Sequence, residues 1–247
     1  PEIKNFFVCC GLNSIGIGSG GGVGKVTAEW LINGHINEDI FCYDIKRFQK
    51  FHSDLSFIKN RITESLGDLY GMHWPFKQHK TSRNIKTLPY HENLKSFGAC
   101  FGVSAGYERP MWFALDGEKS EYEYSYNYQN WYPSAEYETN NTIKNVGLFD
   151  LTPFSKFEIK SEKAHQELQR ICTANIKNEI GKCTYTHMLN SDGGIETDLT
   201  VVCIDRNHFR IISSAATRER DKFHINKHLS EGVELKDITD DYCVFGL

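Results

Sequence analysis

A glycine tract set between two apolar segments constrains this chain more than any other feature. Phe6, Phe7, Val8, Cys9 and Cys10 form an apolar run, residues 11–24 hold seven glycines, and Lys25 to Ile32 reads as an amphipathic helix with Trp30, Leu31 and Ile32. The order predicts a strand, a glycine-rich turn and a helix that starts near Gly22–Gly24 and is closed by Gly34. Glycine lets backbone amides approach a ligand closely, and a helix start adds partial positive charge. A flexible linker would not be flanked in this way, so the tract points to a cofactor.

Two familiar phosphate motifs fit the tract poorly. Gly16-x-Gly18-x-x-Gly21 matches a dinucleotide fingerprint in letters, and Asp44 follows at a ribose-binding distance after Ile40 to Tyr43. Yet five residues, Gly11 to Ile15, separate the apolar run from Gly16, whereas a true fingerprint turns almost at once. A phosphate loop ending at Gly24-Lys25 fails too. Ser19 stands where its first glycine belongs, and Val26 replaces the hydroxyl that would hold Mg²⁺.

With 247 residues, 40% of them hydrophobic, and a net charge of −4, the chain has the make-up of a globular protein. The mild acidity argues against nucleic acid as a partner. No apolar run reaches the ~20 residues of a membrane span, and no secretion leader is visible. Because Pro1 opens the chain and Cys243 to Leu247 closes it on an apolar note, we expect an internal piece of a longer polypeptide. Eight scattered cysteines without a Cys-x-x-Cys suggest reduced thiols, neither a zinc site nor a disulfide framework. Asn140-Asn141-Thr142 is a formal glycosylation sequon with no secretion signal to give it meaning.

Further along, a strand is expected at 40–45 and a helix at 55–70, where Leu55, Ile58, Ile62, Leu66 and Leu69 recur. A short helix is expected at 91–97. Tyr122, Tyr124, Tyr126 and Tyr128 alternate with Glu and Ser, which reads as a half-buried strand rather than a base-stacking platform. From about residue 146 the texture becomes strand-rich. Strands are expected at 148–151, 157–159, 185–189, 199–204 and 209–213, with Asp192-Gly193-Gly194 as a turn. Two helices accompany them: one capped by Ser161 and facing inward through Ala164, Leu168, Ile171 and Cys172, the other at 217–229. His224 and His228 lie four apart on the latter without a third ligand, so they read as a solvated face, and no metal site is assigned. The fold class is α+β with an α/β start.

These residues carry a family resemblance. Gly11-Leu12-Asn13-Ser14-Ile15-Gly16 resembles the flavin-contacting turn of amine oxidoreductases of the D-amino-acid-oxidase type. Leu69 to Pro75 and Gly106 to Phe113 resemble the central segment of dimethylglycine and sarcosine dehydrogenases. Val146 to Leu151 and Gly193 to Val201 resemble the folate-binding domain shared with the aminomethyltransferase of glycine cleavage. Ser213-Ser214-Ala215 departs from the aminomethyltransferase pattern, which often has Asn there.

The resemblance implies three parts: 1–47, the end of an FAD-binding domain; 48–104, the central domain; and 105–247, the first part of a folate domain. It implies FAD held by Leu12, Asn13, Ser14, Ile15, Gly16 and Ile17, and tetrahydrofolate held by Tyr185, Thr197, Asp198 and Thr200, with Asp198 as the catalytic carboxylate. The implied substrate is a small N-methylated amine of the dimethylglycine or sarcosine kind, and an electron-transfer flavoprotein is a possible partner. The implied location is the bacterial cytoplasm or the mitochondrial matrix. A non-catalytic regulatory subunit and a folate-only transferase share the same architecture.

Overall fold

The computed structural model describes residues 3, 5–36 and 38–247, so residues 1, 2, 4 and 37 of the expected first part lie outside the description. Its elements run α1 (Gly16–Asn33), α2 (Leu55–Asp68), α3 (His91–Ser96), β1 (Ala99–Ser104), β2 (Tyr107–Phe113), α4 (Tyr132–Lys144), β3 (Phe149–Asp150), β4 (Ser155–Lys160), α5 (Ala164–Ile171), β5 (Cys183–Leu189), β6 (Ile195–Asp205), β7 (His208–Ser213), α6 (Arg218–His228), β8 (Leu235–Asp237) and β9 (Phe245–Gly246).

Strict alternation in the second half builds a five-stranded antiparallel sheet in the order β5-β6-β7-β4-β8. Successive side chains on a strand point to opposite faces. One face therefore collects Met188, Leu199, Val201, Cys203, Phe209, Ile211, Phe157 and Ile159, all buried. Ala164 and Leu168 of α5, Ile225 of α6, and Ile176 close over them in a single core. The expected strands at 157–159, 185–189, 199–204 and 209–213 and both helices form, while β8 was not expected. Ser161 does not cap α5, because the helix opens behind Lys163 and Ser161 Oγ accepts only the Lys163 amide, at 3.2 Å.

The first half is built differently. β1 and β2 form a separate two-stranded hairpin. Its turn uses positive φ at Ala105 (51°) and Gly106 (82°). Across it, Phe51 packs so closely that a Cβ on Gly106 would meet its ring at 2.9 Å. The loop that follows α2 is bound to the hairpin by one charged fork. Arg83 Nε donates to Glu108 Oε1 at 2.7 Å and Nη2 to Oε2 at 2.6 Å, while Nη2 also reaches the Phe101 carbonyl at 3.0 Å. The Asn84 amide adds a further bond to Oε1 at 2.8 Å. Glu108 is only 1% exposed. Burial alone would push its carboxyl up; the Arg83 fork and the Asn84 amide outweigh burial and hold it below the ordinary value of 4.5.

Three expected strands do not form. Phe6 to Cys10 is irregular and mostly exposed, because among the described residues no strand lies beside it to pair with its backbone. Residues 40–45 make short 3₁₀ turns instead, at Phe41–Tyr43 and Ile45–Arg47, fixed by Asp39 and Asp44 accepting the Phe41 and Lys46 amides. The tyrosine run is also irregular. Tyr122 and Tyr124 stack in parallel at 5.7 Å, the Tyr124 hydroxyl accepts the Gln78 amide, and the Tyr126 hydroxyl donates to the His73 carbonyl. Its side chains serve the neighbouring loop rather than a sheet. The helix expected from about Gly22 begins six residues earlier, at Gly16, while Gly34 closes it in the left-handed region as expected.

Removing Arg83 leaves a buried, unpaired carboxylate. Arg83→Ala is expected to cost about 3–5 kcal/mol in urea denaturation, and Arg83→Met with Glu108→Leu to recover most of it. The pH dependence follows from the same pair. A carboxyl held low in the folded state stabilises above its unfolded value and loses that contribution as pH falls through its folded one. Stability of the native chain should therefore drop as pH falls below about 4.5, and the double variant should drop less over that window.

Candidate functional site

The sheet face opposite the core carries most of the residues expected to meet folate. Tyr185 on β5 lies across from Thr200 on β6, and His187 lies across from Asp198. The pleat brings all four to one side. The Tyr185 hydroxyl donates to Asp198 Oδ2 at 3.2 Å, and that carboxylate holds the Tyr185 phenol above its ordinary value. Thr197 does not join them. It is 4% exposed, on the core side of the same strand. A one-residue step along a strand is enough to reverse the face.

The turn that leads into this face is built by Asn190. Its side-chain oxygen accepts the Asp192 amide at 3.1 Å and the Gly194 amide at 2.8 Å, and Gly193 adopts a φ of 81°. A Cβ on Gly194 would lie 3.0 Å from the Asn190 side chain. The chain can thus turn tightly and present Asp198 four residues later.

Behind the face sits a carboxylate that sequence reasoning overlooked. Asp221 of α6 is fully buried, accepts the Thr217 hydroxyl at 2.7 Å, and is pushed up by burial against the opposing pull of Thr217, Ser213 and Thr197. It is packed at the start of α6 close to Ser213 and Thr197, on the inner side of β6 and β7. Ser213, part of the departure from the aminomethyltransferase pattern, therefore faces this carboxyl and not the open surface. His187 was also overlooked; the two-residue spacing from Tyr185 was the available signal. His224 is held down to about 4 by burial, and its ring tilts against His228 at 4.5 Å, so the pair is uncharged at neutral pH on the His224 side.

The other candidate surface is the turn before α1. Leu12 and Gly16 are half-buried, while Asn13, Ser14, Ile15 and Ile17 are exposed. The Ile15 amide donates to the Leu12 carbonyl at 3.2 Å, and Gly11 and Ser14 take positive φ of 82° and 66°. The first internal bond of the helix comes from Ser19, and no side chain caps the helix start, so the amides of Gly16, Ile17 and Gly18 point outward without a partner among the described residues. Cβ positions at Gly18, Gly20, Gly21, Gly22 and Gly24 would meet nothing within 4 Å. Free amides beside an open, side-chain-free surface suit an electron-rich ring edge such as that of a flavin. The turn and the folate-type face stand apart. α1 is about 27 Å long by its 1.5 Å rise, and only its far end reaches the sheet domain, where His35 Nε2 lies 3.2 Å from Asp192 Oδ2. Nearby, the Arg220 guanidinium sits 4.8 Å over Phe41 and the Lys46 ammonium 4.9 Å over Phe223.

Comparison with known proteins agrees with this layout. Residues 33–87 match the family model described as FAD dependent oxidoreductase central domain, and residues 90–247 match the GCVT N-terminal domain. The chain is 37% identical to the 4-methylaminobutanoate oxidase (formaldehyde-forming) of Paenarthrobacter nicotinovorans, with 92% of this chain and 27% of that protein covered. It is 32% identical to human mitochondrial sarcosine dehydrogenase over 84% of this chain and 25% of that one. It is 29% identical to the mouse mitochondrial pyruvate dehydrogenase phosphatase regulatory subunit over 100% of this chain and 29% of that one. The chain thus spans about a quarter of the length of these relatives. The crystal structure of the glycine cleavage system aminomethyltransferase T from Bartonella henselae shares the fold, with a TM-score of 0.51 and 22% identity over 63% of this chain and 39% of that one. Among the described residues no helix is long and apolar enough to cross a membrane. An oxidoreductase central domain followed by a GCVT N-terminal domain, with relatives of these kinds, places the chain in the dimethylglycine and sarcosine dehydrogenase family.

Proposed function

We propose that the whole protein oxidises a small N-methylated amine at FAD and passes the released one-carbon unit to tetrahydrofolate, and that this chain supplies part of both cofactor sites. The observation that carries the reading is the pairing of Tyr185 with Asp198 on an open sheet face, in a chain that also offers free helix-start amides at Gly16 to Gly18.

When bound, flavin would accept hydride from the amine and folate would capture the one-carbon unit. The chain's own tasks are these. The amides that open α1 stabilise negative charge at the ring edge without a titratable side chain. Asp198 orients the folate nitrogens and holds a proton for them. The Tyr185 hydroxyl occupies Oδ2, which fixes the carboxylate and leaves Oδ1 for the ligand. Thr200 and His187 flank it on the same face. Asp221 steadies the strand from behind. The amine is of the dimethylglycine or sarcosine kind, and an electron-transfer flavoprotein is the electron acceptor that fits a dehydrogenase.

In the whole protein, Asp198→Ala is expected to weaken tetrahydrofolate binding at least tenfold in titration calorimetry and to lower the methylene-tetrahydrofolate yield, with amine-driven bleaching of the flavin retained. Thr197→Val, on the far side of the strand, should leave folate affinity unchanged. Unchanged folate affinity in Asp198→Ala would remove that residue from the site, and no amine-driven bleaching in the native protein would favour a regulatory role on the same scaffold.

At the flavin surface, Ile17 is fully exposed, so Ile17→Asp should not change the thermal midpoint of flavin-free protein. It should lower flavin content, read by absorbance after denaturation, because it sets a carboxylate against a charge-accumulating ring edge.

A further inference from the structure

A third group of ligand-bearing side chains converges away from both cofactor surfaces. Glu64 and Asp68 stand four residues apart on α2 and so share one face. The loop after α2 folds back across that face and brings His79 to it. His79 Nδ1 lies 3.8 Å from Glu64 Oε1 and 3.6 Å from Asp68 Oδ2. That nitrogen is shielded and has no hydrogen-bond partner, although the rest of the His79 ring is part-exposed. One ligand atom from each of the three residues lies within 4.8 Å of the others.

This geometry is not that of a hydrogen-bonded ion pair. A protonated imidazole would close on one carboxylate oxygen at about 2.7–2.9 Å. Here the nitrogen stands nearly equidistant from two oxygens, beyond hydrogen-bond reach of either. A tetrahedral ion bound at about 2.0–2.1 Å sets its ligands roughly 3.3–3.4 Å apart, only a few tenths of an ångström inside the observed spacings.

Outer partners already aim both carboxylates. Lys77 Nζ holds Asp68 Oδ1 at 2.5 Å, leaving Oδ2 turned to His79. Glu64 accepts the Lys80 amide at 2.6 Å, the Thr81 amide at 2.8 Å and the Thr81 hydroxyl. Ligand carboxylates are commonly oriented in this way. A small cavity lined by Asp68, Met72, His73, Trp74, Lys77, Gln78 and His79 adjoins the cluster and offers a route in.

We propose that Glu64, Asp68 and His79 form a binding site for a divalent transition ion of the Zn²⁺ class, which clips the loop of residues 72–81 to α2. Two carboxylates and an imidazole suit such an ion better than Ca²⁺ or Mg²⁺. The charges of Lys77 and Arg61 nearby, the latter 4.0 Å from Glu64, keep the affinity moderate. The inference stands independently of the flavin and folate reading.

The test is titration calorimetry of Zn²⁺ alone into chelator-treated whole protein, with thermal unfolding measured alongside. One ion per chain, a raised thermal midpoint, and at least a tenfold loss of affinity in His79→Ala and in Asp68→Asn are expected. His224→Ala with His228→Ala should keep native affinity. Asp68→Asn preserves side-chain shape, so it reads the site even where His79→Ala disturbs the loop. Absence of saturable uptake by the native protein, or uptake that neither His79→Ala nor Asp68→Asn weakens, overturns the proposal.

Discussion

The pleat of one antiparallel sheet governs the folate-type half of this chain. With one side packed under α5 and α6, every strand must place alternate residues in the core and the rest outward. That single constraint sorts chemistry from packing. Leu199, Val201 and Met188 go inward, and Tyr185, His187, Asp198 and Thr200 go outward. It also separates Thr197 from its neighbour Asp198 and gives it to the buried Asp221 instead.

The half before the sheet has no comparable core and is organised by polar anchors. The Arg83–Glu108 fork fixes the loop after α2 to the β1–β2 hairpin, and Glu64 draws in the same loop by its own hydrogen bonds. Such anchors specify geometry strongly because a half-satisfied buried charge is costly. A loop held from two sides can carry His79, Lys77 and Trp74 in fixed places without regular secondary structure.

How far the sequence could be read followed from the range of the forces involved. Local periodicity located α2, α3, α5, α6 and the strands of the large sheet other than β8, because the spacing that defines each is written in consecutive residues, even in α2, whose apolar stripe stays largely exposed. Asp192-Gly193-Gly194 marked its turn for the same reason, while the part played by Asn190 came from the structure. Periodicity failed where tertiary context decided. The runs at 6–10 and 122–128 look like strands, yet among the described residues neither has a strand beside it, and a strand without a neighbour has no reason to extend. The β1–β2 hairpin passed unnoticed because Gly102 and Pro110 interrupt its alternation. Of the folate residues that the resemblance implied, Tyr185, Asp198 and Thr200 sit together because they share parity on paired strands. Asp221 and His79 were not legible, since no local pattern shows that one is buried against β6 and β7 or that the other folds back onto α2.

The contacts that join the 35–47 segment to the sheet domain are of one kind. They are cations over aromatic rings and an imidazole beside a carboxylate: Arg220 on Phe41, Lys46 on Phe223, His35 by Asp192. The sheet core, by contrast, is held by apolar burial. These two modes of cohesion answer ionic strength in opposite directions. Added salt screens the first, and strongly hydrated anions reinforce the second. The cohesion of the junction between the two regions therefore weakens in a salt regime where the sheet beside it becomes firmer.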